Sequence, residues 1–401
     1  MNNAELWYSA IPGPSRLVEQ IAKTLNDNKT VILHIDYDFP WRNEMRNAVE
    51  VKLRDYPHAS SINFLDVTDQ YQENNPARFV VHQFCSEEDY AFASKERQAI
   101  QTLKSGVLQG RIVWFKGIPD DRDSDFISFC RTYKTFGKEQ GVFVIETRED
   151  ILEKSLPASI VVIDSSKLIS ENDVLIFASI LYAQREEDDR HGKYFSNLVS
   201  ILCGKDAELA AELINSVDFH TVEPLDGLKN VRENAFMGSE RGISPKSDPF
   251  HPFALLKGGN LNELQSRVWL AQMRVIMAVV ERERQQFISA YADELRYCYD
   301  EILQNKTCWS NGKFEVEYDE EDEQKYLVNQ FGDYIRDIND FEVSHLYQLT
   351  QISRKDEADQ LVRLLSVPYT EYQRLILLRD IRNNLAHISC CSLELIENLL
   401  S

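Results

Sequence analysis

Near the end of the chain stands Arg382-Asn383-Asn384-Leu385-Ala386-His387, which puts a guanidinium, an amide and an imidazole within six residues. Cleaving an RNA phosphodiester without a metal calls for these groups. An imidazole titrates near neutrality, so it can take the proton of a 2′-hydroxyl or return one to the leaving oxygen. A guanidinium offers a bidentate fork to the scissile phosphate and to the charge that grows on it. His387 is therefore the expected general base or acid, and Arg382 the phosphate clamp. Asn383 lies four residues before His387, so on a helix the two share a face, where the amide can orient the ring or bond the phosphate. Arg382 falls about 140° round that helix from His387. Its long side chain, or fraying near Ser389, must close the gap. The competing reading makes Arg382 and Asn383 caps for neighbouring carbonyls and His387 a residue at a helix end.

Apolar spacing supplies the elements that would hold this motif. Leu375, Leu378, Ile381, Leu385 and Ile388 give one apolar face to a helix over Thr370 to His387. Leu264, Val268, Met273, Ile276, Val279 and Val280 predict a long helix running from Asn262 towards Ile302. Further helices are expected at Gln324 to Asp337, Glu342 to Ile352, Glu357 to Leu365 and Leu393 to Leu400, with the acidic Glu315 to Glu323 as a solvated loop. Short connections between antiparallel helices make an all-α bundle over 262–401. His345 reads as a packing histidine. Arg379 reads as an auxiliary phosphate contact or an ion-pair partner of Asp380 or Glu371.

Arg, an adjacent polar residue and His after four intervening positions, carried at the C-terminus of a helical bundle, resemble the signature of HEPN-superfamily ribonucleases. The likeness covers roughly residues 262–401 and includes Leu377-Leu378-Arg379-Asp380-Ile381 before the motif and the helix after Ser392. It implies metal-independent RNA cleavage by Arg382, Asn383 and His387, paired across a homodimer formed by the C-terminal domain. It also implies regulated effectors of the kind used in prokaryotic anti-phage defence or as toxins.

Ahead of that domain, β-rich runs alternate with helical patterns. Thr30–Ile35, Ile62–Leu65, Arg111–Phe115, Gly141–Ile145 and Ser159–Ile163 read as buried strands; Ser15 to Asn26, Trp41 to Arg54, Glu88 to Leu108 and Ser124 to Gln140 read as helices. Continuous apolar strands joined by helices imply an α/β domain built on a parallel sheet. The order resembles P-loop ATPases of the AAA and STAND type over roughly 1–225, divided into an α/β domain at 1–165 and a small helical lid-like region at 166–225. The phosphate loop is missing, however. The first strand runs into Asp36-Tyr37-Asp38-Phe39-Pro40-Trp41, with no glycine and no Gly-Lys-Ser/Thr. Asp36 and Asp38 would repel a triphosphate, and Asp164 reads as an ordinary strand-end aspartate. The expectation is a degenerate P-loop fold used for sensing or docking. Ile11-Pro12-Gly13-Pro14 is expected to be a turn, Arg185 to Arg190 a solvated mixed-charge segment, and the Gly- and Pro-rich 226–261 a linker.

Composition bounds the function. The net charge is -21, with 44 basic and 65 acidic side chains, so the chain cannot bind polyphosphate by general electrostatics. RNA contact must be local or created by assembly. No cofactor or metal is expected, since the seven cysteines and eight histidines show no ligand spacing along the chain. No apolar run approaches a membrane span, so a cytoplasmic protein without membrane contact is expected. The alternative function is non-catalytic: a scaffold or adaptor that dimerises through the C-terminal domain and docks a partner ATPase, defence or regulatory protein.

Overall fold

The computed structural model describes residues 2–56, 61–70, 75–135, 141–148, 156–234, 248–304, 314–329, 332–355 and 361–401. Two compact units divide the chain. One comprises Met1–Glu186, Leu202–Ser216 and Lys229–Asn260; the other comprises Glu187–Ile201, Val217–Leu228 and Leu261–Ser401. Both are discontinuous, so residues 187–228 alternate between them. The expected linker is described only on either side of 235–247.

The first unit opens with helices α1 (Asn3–Ala10) and α2 (Pro12–Asn26), then strand β1 (Thr30–His34) and α3 (Arg42–Leu53). After β2 (Ile62–Asp66) come α4 (Val67–Gln70), α5 (Pro76–Phe84), α6 (Glu87–Phe92) and α7 (Glu96–Leu103). Strand β3 (Ile112–Lys116), α8 (Asp123–Thr135), β4 (Val142–Thr147), β5 (Ile160–Asp164) and α9 (Glu171–Gln184) follow. Next along the chain are α10 (Asp189–Cys203), which belongs to the second unit as far as Ile201, α11 (Ala207–Ser216) of the first unit, α12 (Pro224–Asn234), which belongs to the second unit as far as Leu228, and α13 (Pro252–Gly258) of the first.

All five strands pair in parallel in the order β2-β3-β4-β1-β5. The α/β expectation therefore stands, and each predicted strand is present. Val31, Ile32, Leu33, Val113, Trp114, Phe115, Phe143, Val144 and Ile145 are all fully buried, as a sheet covered on both faces requires. On one face Phe115 stacks on Phe143, and Phe126, Phe129 and Tyr133 of α8 meet that pair edge-on. Two local expectations need correction. Pro12 and Gly13 form the first turn of α2 rather than a free turn, as the fixed φ of proline favours at a helix start. A Cβ on Gly13 would lie 2.5 Å from the Leu168 carbonyl oxygen, so only glycine allows that approach. The helix expected over Glu88 to Leu108 breaks into α6 and α7: Ser86 begins a capping box at the start of α6, and at α7 the Gln98 side chain accepts from the Lys95 N–H at 3.1 Å.

The second unit has α14 (Leu261–Ala290) and α15 (Ala292–Gln304), strands β6 (Glu315–Asp319), β7 (Gln324–Val328) and β8 (Tyr334–Ile335), and α16 (Val343–Leu349). Strands β9 (Ser353–Lys355) and β10 (Leu361–Arg363) precede α17 (Tyr369–Ala386) and α18 (Leu393–Leu400). The all-α expectation is thus corrected. The acidic Glu315 to Glu323 begins with an edge strand, and the helix expected over Gln324 to Asp337 gives way at Gln324–Val328 and Tyr334–Ile335 to two strands of an antiparallel sheet in the order β6-β7-β8, while 330–331 lies outside the described residues. The helix expected over Glu357 to Leu365 gives way at Leu361–Arg363 to a hairpin strand paired with β9, and 356–360 lies outside the described residues. Leu327 and Ile335 turn inward and join Leu295, Cys298, Phe341, Leu346, Leu349 and Leu375 in one core. The small sheet is therefore held by the helices and does not stand alone.

Two charged contacts inside the first unit have consequences for stability. Arg46 of α3 forks onto Glu146 of β4, Nε donating to Oε1 at 2.7 Å and Nη2 to Oε2 at 2.6 Å, while the Trp114 indole donates to the same Oε1 at 2.8 Å. Removing the carboxylate would strand a guanidinium whose side chain is only 10% exposed. Glu146→Ala is expected to destabilise the unit by about 3–5 kcal/mol, read as a lowered denaturant midpoint; a change under about 1 kcal/mol would show the pair to be a surface-type contact. Asp38 is half-buried. Burial first, and then the Asp206 and Asp248 carboxylates against His251, push it up to about 6. An acid that holds its proton more tightly when folded loses that stabilisation as pH rises from about 4 to about 6, leaving a constant penalty above. Asp38→Asn is expected to gain up to about 3 kcal/mol over the parent at about pH 7.5 and nothing at about pH 4. Equal effects at both pH values in denaturation series would contradict this.

Candidate functional site

Ligands of open parallel sheets bind beyond the carboxyl ends of the strands, where the chain reverses its direction of winding. Here that place lies at β1, between β4 and β5. The chain's own side chains occupy it. His34 Nδ1 lies 3.3 Å from Asp164 Oδ1, and Thr147 donates to Asp123 Oδ2 at 2.6 Å. The Arg148 guanidinium sits 4.1 Å over the Tyr37 ring and pairs with Asp120, which also accepts from the Tyr37 hydroxyl. Arg42 donates to the Asp36 and Tyr37 carbonyls, and Lys205 to the Ser166 carbonyl. A cavity of about 30 Å³ lies among Ile35, Arg42, Asp120, Asp123 and Arg148, and one of about 10 Å³ among Asp36, Asp38, Ser165 and Lys205. Small-molecule sites need roughly 300–1,000 Å³.

In the second unit, the sequence motif ends α17. Trp269 and Gln272 of α14, one helical turn apart, hold the backbone within it and just after it. The Trp269 indole donates to the Leu385 carbonyl at 2.9 Å. The buried Gln272 amide accepts from the Cys391 N–H at 2.8 Å and donates to its carbonyl at 3.0 Å. Between these clamps the helix stops at His387. Ser389 N–H bonds the Asn384 carbonyl and Ile388 N–H the Leu385 carbonyl, the pattern that normally places glycine in the left-handed position. Here that position is Ile388, with φ +57° and 71% exposure. A β-branched residue held there is strained, and such strain gathers at functional sites.

Arg382 and Asn383 are half-buried, and His387 is exposed at the helix end. Among the described residues no hydrogen bond or ion pair joins their three side chains. Arg382 instead pairs with Glu342 just before α16, Nη2 to Oε2 at 2.6 Å. The Glu342 N–H donates to Nδ1 of His345, so the neutral ring carries its proton on Nε2. Burial holds that imidazole below its usual value; Arg382 pushes the same way and Glu342 opposes it. His345 packs on Phe314 and Phe341. Arg379 pairs with Asp380 and lies 4.1 Å over the Tyr347 ring.

The described residues also contain a group with metal-ligand geometry that spacing along the chain did not reveal. His191 at the start of α10, His220 in the turn before α12 and Glu397 of α18 place one ligand atom each within 4.8 Å of one another. Only the fold unites three such separated segments. No helix among the described residues is long and apolar enough to cross a membrane.

No family model and no curated protein matches the chain. Among solved structures, Saccharomyces cerevisiae RIF2 is similar at 11% identity and a TM-score of 0.29, over 60% of this chain and 95% of that one. The Aeropyrum pernix ORC1 protein, solved in complex with DNA, is similar at 10% identity and a TM-score of 0.30, over 98% of this chain and 93% of that one. Likenesses at these scores carry no argument about the activity of this chain.

Proposed function

We propose that the chain is a metal-independent endoribonuclease whose first unit is a degenerate P-loop-like domain serving to sense or dock rather than to hydrolyse nucleotide. What carries the proposal is the end of α17, where Arg382, Asn383 and His387 stand within the last turn and a half, beside a strained, exposed Ile388. His387 would take the 2′-hydroxyl proton as that oxygen attacks phosphorus, and a protonated imidazole would return one to the departing 5′-oxygen. Arg382 would neutralise the phosphorane-like charge. The products are a 2′,3′-cyclic phosphate and a 5′-hydroxyl, and DNA, having no 2′-hydroxyl, is spared. Because Arg382 is held by Glu342, the clamp reaches phosphate only after that pair opens. A homodimer pairing two such sites would supply the local positive charge that a net charge of -21 otherwise denies. Regulated RNA cleavage of this kind suits anti-phage defence or a toxin.

A second reading, a non-catalytic scaffold or adaptor docking a partner ATPase or defence protein, draws support from the same Arg382–Glu342 pair, which neutralises the guanidinium, and from the acidic balance, which suits a basic partner. Incubation with total tRNA and mRNA in EDTA, at a temperature where the chelated protein stays folded, separates the two. The parent is expected to leave cyclic-phosphate ends, and His387→Ala and Arg382→Ala to cut at least about 10²-fold more slowly. Cleavage that persists in both variants, or a parent inert even as Glu342→Gln, favours the scaffold.

A further inference from the structure

We propose that His191, His220 and Glu397 form a zinc-class metal site in the second unit, independent of the nuclease motif. The inference rests on how the donor atoms are arranged and how their outer atoms are held.

Two donor pairs already lie at the edge lengths of a coordination polyhedron. Glu397 Oε2 is 3.4 Å from His191 Nε2 and 3.0 Å from His220 Nδ1. Ligands about 2.0–2.2 Å from a tetrahedral ion stand a little over 3 Å apart. The His191 and His220 rings lie with centroids 4.7 Å apart, tilted by 57°. His191 is 8% exposed, and its Nε2 is buried with no hydrogen-bond partner despite the nearby carboxylate. A buried ring nitrogen left in that state is costly unless something else satisfies it. Glu397 Oε1 is likewise buried without a partner.

The outer atoms show the pattern that metal-bound histidines need. Asp188 Oδ2 lies 2.6 Å from His191 Nδ1, and Glu187 Oε1 lies 2.9 Å from His220 Nε2. A carboxylate on the far nitrogen fixes the tautomer, so that the near nitrogen presents its lone pair to the ion, and it raises ligand basicity. Both histidines are backed this way by consecutive residues, and Phe195 packs against both rings. Two imidazoles and a carboxylate suit zinc and its first-row neighbours far better than calcium or magnesium, and leave a fourth position for water. The bound ion would tie α18 to the start of α10 and to the turn at His220. The alternative is a purely ionic bridge, with His220 charged between Glu187 and Glu397.

Full-length protein stripped with chelator and dialysed would be titrated with Zn²⁺ against a chromogenic chelator, and with Co²⁺ while the visible spectrum is recorded. One equivalent per chain is expected, with Co²⁺ bands of a nitrogen- and oxygen-ligated ion, lacking thiolate charge transfer, and a higher melting temperature on loading. Glu397→Gln should abolish the Co²⁺ bands. The outer-sphere Asp188→Asn, which leaves all three ligands in place, should weaken Zn²⁺ binding about 10–100-fold. Circular dichroism of each variant without metal verifies folding. Absence of stoichiometric binding, thiolate bands, or binding unchanged in both variants would overturn the assignment and leave the ionic bridge.

Discussion

A guanidinium enclosed beneath a sheet must keep its carboxylate, and the first unit is arranged round one such pair. Arg46 reaches from α3 to Glu146 on β4, with Trp114 of β3 on the same carboxylate. The pair fixes α3 against two central strands, and α3 is the helix that follows the loop after β1. That loop, Ile35–Trp41, is where a phosphate-binding turn would lie in a P-loop protein. Here it is spanned by Arg42, whose guanidinium donates to two of its carbonyls, and anchored at Trp41, whose N–H bonds the Glu208 carboxylate. Arg42, Arg148 and Lys205, the cations beside this loop, each bond to the chain itself.

Much of this was legible in sequence. Five apolar runs announced five strands; the central β3, β4 and β1 are buried as expected, whereas the edge strands β2 and β5 are half-buried, since each has a neighbour on one side only. The absence of glycine between His34 and Trp41 showed that no glycine-rich phosphate loop follows β1. The apolar face of Leu375, Leu378, Ile381 and Leu385 gave α17. The failures have physical causes as well. In β6 the alternating Val316 and Tyr318 are submerged among Glu315, Glu317 and Asp319, so charge density disguised an edge strand as a loop. In β7 the apolar residues crowd into Tyr326, Leu327 and Val328, too short a run to separate a strand from a helix. The two discontinuous units could not be read from composition, which changes along the chain and not through space.

The candidate sites divide in the same way. The Arg382 motif is contiguous and therefore visible, but its electrostatic state is not: Glu342 lies 40 positions away and was read only as the start of a helix. His191, His220 and Glu397 are visible only in three dimensions, since no two of them share a local spacing. In both cases spacing along the chain finds the groups that can react, while the fold decides which of them are restrained and by what.

If the first unit senses or docks rather than hydrolyses nucleotide, as proposed, the crevice beyond β1, where the side chains bond to one another, should take up no ATP. Melting the full-length protein with and without about 1 mM ATP, alone and with Mg²⁺, tests this most directly, since a ligand bound with a Kd near 10 µM would add about 2.7 kcal/mol of stability. The expected result is an unchanged transition with either addition. A saturable rise in melting temperature that Arg148→Ala or Lys205→Ala removes would contradict it.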